Sequence, residues 1–263
     1  MMRFEGKAAL VTGGGGGIGS AIALRLAEEG GAIGVLDRKP DAAAEVAARV
    51  EAAGGRALAL VAEITDPDSV AAALAQMRDA IGAPDVLVNN AAWATKGDLE
   101  STGLADWQAE LEVDLNGQFV CAKAVLPGMV ARGAGAIVNI GSVNGLMALG
   151  NPAYSAAKAG LLSLTQSFAI EYGPRGIRTN MVSPGTVETD IENWRIRRRK
   201  NPKIFDQLAR WYPVGRVGQP EDIAAAVAFV AADEAGFVNG ANLVVDGGLT
   251  AGLPVMIEEL ILE

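Results

Sequence analysis

The chain contains no histidine and a single cysteine among 263 residues. Without histidine there is no Ser-His-Asp hydrolase and no imidazole-ligated metal. One thiol, Cys121, can neither close an internal disulfide nor assemble a thiolate zinc cluster, so no metal site is expected. Acid–base chemistry must fall to Tyr, Lys, Asp or Glu. No apolar run approaches the ~18 residues of a membrane span. No charged-plus-apolar leader opens the chain, so a cytoplasmic location is expected. Basic charge is also in short supply. With 22 Lys and Arg against 31 Asp and Glu, the net charge of −9 argues against nucleic acid or an anionic membrane as partner. A small molecule is the expected partner.

What is present is apolar and glycine-rich, with half the residues hydrophobic and 33 glycines. That is enough to bury a core, and one domain over residues 1–263 is expected. Runs of branched apolar residues at 7–12, 32–37, 57–62, 85–90, 136–140, 178–183 and 241–246 read as strands. Helical patterns fall between them, at 17–30, 41–53, 67–81, 104–131, 154–172 and 221–232. This alternation predicts an α/β fold, a doubly wound parallel sheet of Rossmann type with helices on both faces. A basic segment at about 190–213 interrupts the pattern, and an apolar tail at 249–263 is expected to pack on the body or on a second subunit.

TGGGGGIG, residues 12–19, sits where the first strand turns into the first helix. Glycines let the backbone turn tightly against a pyrophosphate, and the helix N-terminus aims free N–H groups and a positive dipole at it. Asp37 closes the second strand eighteen residues past Gly19, which suits a carboxylate bonded to the adenosine ribose hydroxyls. It would repel a 2′-phosphate, so NAD is favoured over NADP, although the neighbouring Arg38 softens that preference.

Farther on, Tyr154 and Lys158 stand at i and i+4 on one helix face. A phenol is a poor base at neutral pH, and an adjacent ammonium would lower its pKa. Ser142 leaves the fifth strand at the sheet edge where ligands bind, and Asn144 follows it. The basic segment carries Trp194, Arg195, Arg198 and Trp211. It reads either as a solvated helix face or as an arginine fork over an anionic group, and Trp93, Trp194 and Trp211 read as flat faces for a ring or as packing residues.

Together Thr12-Gly-x-x-x-Gly-Ile-Gly19, Asn89-Asn90-Ala91, Ser142, Tyr154-x-x-x-Lys158 and Pro184-Gly185 resemble the classical short-chain dehydrogenase/reductase family, from about residue 4 to Gly248. The resemblance implies a dinucleotide held by Gly13, Gly17, Ile18 and Gly19, with Glu63 and Ile64 flanking the adenine. Asn90 and Ala91 would line the cleft, and Pro184 to Thr189, including Gly185 and Val187, would reach the carboxamide. It further implies that Tyr154 exchanges the proton with the substrate oxygen, Ser142 orients that oxygen, and Lys158 holds the nicotinamide ribose. A substrate lid at 190–213 and a homotetramer also follow from it.

One departure bears on the chemistry. Asp114 stands where the family has the asparagine that supports a proton-relay water. Asn116 cannot simply substitute, because two helical steps turn a side chain by roughly 200°, unless a local kink re-aims it. Facing the site, Asp114 would accept from a water but partly neutralise Lys158. The alternative is a solvent-facing Asp114. The expected activity is NAD-dependent oxidation of a secondary alcohol or hemiacetal of a sugar-like substrate, with an anionic one, a sugar acid or sulfosugar, as the narrower form. A 3-oxoacyl-thioester reductase and a non-catalytic dinucleotide-binding regulator are the alternatives.

Overall fold

A computed structural model describes residues 2–94, 97–252 and 255, the side chain of Asn193 excepted. Seven parallel strands form one sheet in the order β3-β2-β1-β4-β5-β6-β7. They are β1 Ala8–Thr12, β2 Ala32–Asp37, β3 Arg56–Val61, β4 Val86–Asn89, β5 Gly135–Ile140, β6 Ile177–Pro184 and β7 Asn242–Val245. The doubly wound reading therefore holds, and the strand runs fall where their branched apolar residues placed them.

Alternating side chains feed two cores. On one face Ala9 and Val11 of β1 pack with Ile22 and Leu26 of α1 (Gly17–Glu28), Val46 of α2 (Pro40–Ala52) and Val227 of α9 (Pro220–Ala231). On the other, Ala8 and Leu10 pack with Met77 of α3 (Pro67–Ala80), Leu126 of α5 (Gly117–Arg132) and Phe168 of α6 (Pro152–Tyr172). Both sheet faces are covered, as apolar parallel strands require.

Two segments differ from expectation. The helix expected over 104–131 is broken: α4 (Leu104–Leu111) passes into a π-helical turn at Glu112–Asn116 before α5 begins. Such turns widen the helix by one residue and re-aim its side chains. The basic segment folds as two short helices, α7 (Glu192–Lys200) and α8 (Ile204–Ala209), where the charge run points to a helix face without giving its bounds or the break between the two. The last turn of α7 carries Arg197, Arg198, Arg199 and Lys200, cations that suit the negative end of a helix dipole. Most of the expected C-terminal packing segment lies outside the described residues.

Sheet order reverses between β1 and β4, so their C-terminal ends open a crevice of the kind that binds ligands in open α/β sheets. Among the described residues no helix is long and apolar enough to cross a membrane.

Candidate active site

The glycine loop is fixed to the end of β4. Thr12 Oγ1 accepts from the backbone N–H groups of Asn90 and Ala91 at 3.0 and 3.1 Å, while Asn90 Nδ2 donates to the carbonyls of Thr12 and Gly13, both at 3.0 Å. Gly13 is left-handed at φ 60°, and a Cβ there would stand 2.7 Å from Ala91 Cα. Only glycine fits that approach. At the tip of the loop, a Cβ on Gly16 would meet nothing within 4 Å. Gly17 faces Thr189, whose buried Oγ1 has no hydrogen-bond partner among the described residues. An open tip beside an orphaned hydroxyl, at a helix N-terminus, fits a pyrophosphate.

A cleft runs from this loop over Asp37, Arg38, Glu63, Ile64, Ala91 and Trp93. Asp37 accepts from Gly15 N–H at 3.1 Å and Lys39 N–H at 3.0 Å. Two further lone-pair directions of its carboxylate are left for a ligand. Arg38 and Glu63 are exposed, Ile64 is buried against Gly117, and Ile18 packs on the core of its own sheet face. Pro184, the last residue of β6, and Val187 and Thr189 beyond it are buried.

Beside this cleft lie Ser142, Tyr154 and Lys158. Ser142 follows β5 and caps a 3₁₀ turn, its Oγ accepting from Asn144 N–H at 3.1 Å. Asn144 Nδ2 donates to the Gly150 carbonyl at 3.2 Å. Asn151 then turns the chain into α6 with φ 51°, a left-handed conformation that asparagine tolerates, and Pro152 starts the helix. One turn on, Lys158 Nζ donates to the Ile140 carbonyl at 3.1 Å and lies 5.4 Å from the Tyr154 ring centre.

The π-helical turn settles the choice left open for Asp114. Its carboxylate is fully buried, with Oδ1 3.1 Å from Lys158 Nζ and Oδ2 accepting from Trp93 N–H at 3.1 Å. Asn116 points outward, donating to Glu112 Oε2 at 2.6 Å. Burial pushes the Asp114 carboxyl above its ordinary range against the pull of Lys158. Burial opposes the Lys158 ammonium, but Asp114 and Tyr154 outweigh it and raise its pKa.

The expected lowering of Tyr154 is corrected by its surroundings. Burial pushes its phenol up, Lys158 and a bond from Ser142 pull it down, and Asp114 and Glu110 add to the rise. The net direction is upward.

These features converge with relationships to known proteins. A family model described as Enoyl-(Acyl carrier protein) reductase matches residues 13–250. The chain belongs to the classical short-chain dehydrogenase/reductase family. It is 42% identical over 250 residues to the cis-4-hydroxycyclohexanecarboxylate dehydrogenase of Sinomonas cyclohexanicum, covering 94% of this chain and 98% of that one. A crystal structure of a family oxidoreductase from Burkholderia thailandensis superposes with TM-score 0.90 at 46% identity, covering 98% of each chain. A gluconate 5-dehydrogenase from Burkholderia cenocepacia, in complex with NADP and tartrate, superposes with TM-score 0.88 at 36% identity over 96% of this chain and 98% of that one. As a family member, the chain is an oxidoreductase that uses a nicotinamide cofactor.

In the basic segment, Arg195 and Arg198 already have partners. Arg195 forms a two-point pair with Asp190 at 2.9 and 2.7 Å. Arg198 reaches the Thr189 carbonyl at 3.2 Å and lies near Glu188 and Asp190. Trp194 packs on Phe205 with ring centres 4.9 Å apart, and Trp93 and Trp211 are partly exposed.

Two residues that the sequence did not single out hold the site together. Tyr212 is buried, and its hydroxyl accepts from Thr186 N–H at 2.8 Å, fixing the chain after Pro184. Gln118 Nε2 donates to the Ala91 carbonyl at 2.6 Å and to Val113 O, a carbonyl of the π-helical turn, at 3.3 Å. The partners are 26 and 27 residues away for the two closer bonds, so no local pattern announces them.

Proposed function

We propose that the chain is a cytoplasmic NAD-dependent dehydrogenase of a secondary alcohol or hemiacetal in a sugar-like or ring-shaped substrate. The observation that carries this reading is the cluster of Ser142, Tyr154 and Lys158 at the C-terminal edge of β5, beside the cleft that begins at Gly13.

Bound in that cleft, the nicotinamide would accept a hydride from the carbinol carbon. Gly13 to Gly19 would hold the pyrophosphate, with Thr189 Oγ1 as an added donor. Asp37 would take the adenosine ribose hydroxyls and repel a 2′-phosphate, which is the basis for preferring NAD. Ser142 Oγ would donate to the substrate oxygen and Tyr154 Oη would remove its proton. Lys158 Nζ donates to the Ile140 carbonyl and forms an ion pair with Asp114, and its remaining donor capacity would serve the nicotinamide ribose.

An anionic substituent would have to compete with Asp190 for Arg195 and with Glu188 for Arg198. A neutral alcohol escapes that competition, so an anion-bearing sugar stands as the narrower form of the proposal. The test is NADH formation, with NAD and NADP in parallel, across cyclic alcohols, polyols, sugar acids and 3-oxoacyl thioesters. Alcohol-dependent reduction of NAD, lost by ~10²-fold or more in Tyr154→Phe, supports the reading. Turnover of thioesters alone, with NADPH, would replace it with the reductase alternative.

The same reading carries a homotetramer. Phe119 on α5 and Ile170 on α6 are exposed, and the same helices of a second copy would cover them. Light scattering should return the mass of four chains.

A further inference from the structure

The buried acids around Tyr154 have no part in the proton path just described. Asp114 and Lys158 are 0% and 2% exposed, and their contact is made where water cannot screen it. The carboxylate is held on both sides, by Lys158 at Oδ1 and by Trp93 N–H at Oδ2. It cannot rotate away without abandoning a buried partner. The π-helical turn is what aims it inward, since the next polar side chain, Asn116, points to solvent.

Lys158 is correspondingly turned toward the base of the site. Its ammonium meets Asp114 and the Ile140 carbonyl at 3.1 Å each, whereas the Tyr154 ring centre is 5.4 Å away. The charges whose fields reach Tyr154 are Lys158 on its own helix, Asp114 on the π-helical turn and Glu110 on α4. Two of those three are acidic.

We propose that Asp114 is a positioning residue that ties down Lys158 and offsets the charge this lysine presents to Tyr154. This rests on the assignment of Tyr154 as the proton-exchanging group. With the lysine charge offset, alcohol oxidation through an ionised Tyr154 should gain as pH rises, whereas carbonyl reduction draws on the protonated phenol.

Direct titration of the phenol tests the proposal without a substrate. The chain has three tyrosines, so the ultraviolet tyrosinate signal of the intact protein minus that of Tyr154→Phe isolates Tyr154. Subtracting Asp114→Asn/Tyr154→Phe from Asp114→Asn isolates it in the variant. Removing the carboxylate charge should lower the Tyr154 midpoint by about one pH unit or more. Asp114→Ser, with circular dichroism on every variant, serves if the asparagine variant does not fold. Where an alcohol is turned over, the alkaline-side rise of kcat/KM for its oxidation should move down by the same amount. A Tyr154 midpoint that is the same with and without the Asp114 carboxylate, or absent below pH 11 in both, overturns the proposal. Alcohol oxidation that survives in Tyr154→Phe overturns the underlying assignment instead, and the two failures are therefore distinguishable.

Discussion

Asn90 Nδ2 stands 3.0 Å from the carbonyl oxygen of Gly13 and donates to it, while also donating to Thr12 O at the same distance. One amide thus fastens the glycine loop to the end of β4 across the point where the sheet order reverses. Asn90→Ala removes both bonds and leaves two partly buried carbonyls short of a donor. The expected cost is about 1–3 kcal/mol in dinucleotide affinity, read as a ~5- to 150-fold rise in Kd by calorimetric titration. Catalysis at saturating cofactor should fall much less, because Asn90 touches neither Tyr154 nor Lys158.

The carboxylate of Asp37 takes two backbone N–H groups and still faces the cleft. Asp37→Asn retains the shape and removes the charge that would meet a 2′-phosphate. The Kd ratio of NADP to NAD should fall by about tenfold, or ~1.4 kcal/mol, with Arg38 able to pair with the phosphate once the carboxylate is gone. An unchanged ratio would show that Asp37 only braces the turn.

How much of this was legible in the sequence varies with the range of the interactions. The central strands were readable because they are buried on both faces and must be built from apolar residues, as KAALVT and DVLVNN are. The glycine loop and Asp37 were readable because backbone geometry and charge placement tie residue types to positions there. The break inside 104–131 was not, since a π-helical turn adds one residue without changing composition, and so the direction of Asp114 stayed ambiguous. In the basic segment, Asp190 lies five residues before Arg195, close enough to see, but a charge run does not declare whether its partner is internal or a ligand. Tyr212 and Gln118 act on backbone atoms more than twenty residues away, beyond any periodicity.

At the opposite end of the sheet, Glu29 accepts two bonds from Arg3 at 2.5 and 2.7 Å and one from Arg25 at 2.6 Å, with its side chain 9% exposed. The bond from Arg3 leads the causes that hold its carboxyl below the ordinary 4.5, against the cost of burial. A depressed folded-state pKa means that the stabilisation is present above about 4.5 and is lost as pH falls through the folded value. Glu29→Gln should cost about 2 kcal/mol at pH 7. Thermal unfolding at pH 7 and at pH 3 should show the gap between the two proteins narrowing in acid.

Arg178, on β6, caps a helix it does not belong to. Its guanidinium donates to the carbonyls of Val230 at 2.7 Å, Ala231 at 3.2 Å and Ala232 at 2.9 Å, with Val238 at 3.4 Å. The first three close the C-terminal end of α9, where carbonyls lack intrahelical donors and the dipole favours a cation. Burial lowers the pKa of Arg178, with Asp233 opposing, so the charge is held at some cost by the carbonyls it satisfies. Arg178→Ala would orphan them, and the expected loss is about 1.5–3 kcal/mol, measured as a lower denaturant midpoint. Arg178→Lys should recover only part of it. An ammonium retains the charge but lacks the planar fork that spreads donors over successive carbonyls of a helix end. Full recovery by lysine would mean that charge at the end of α9, rather than the pattern of donors, is what the position supplies.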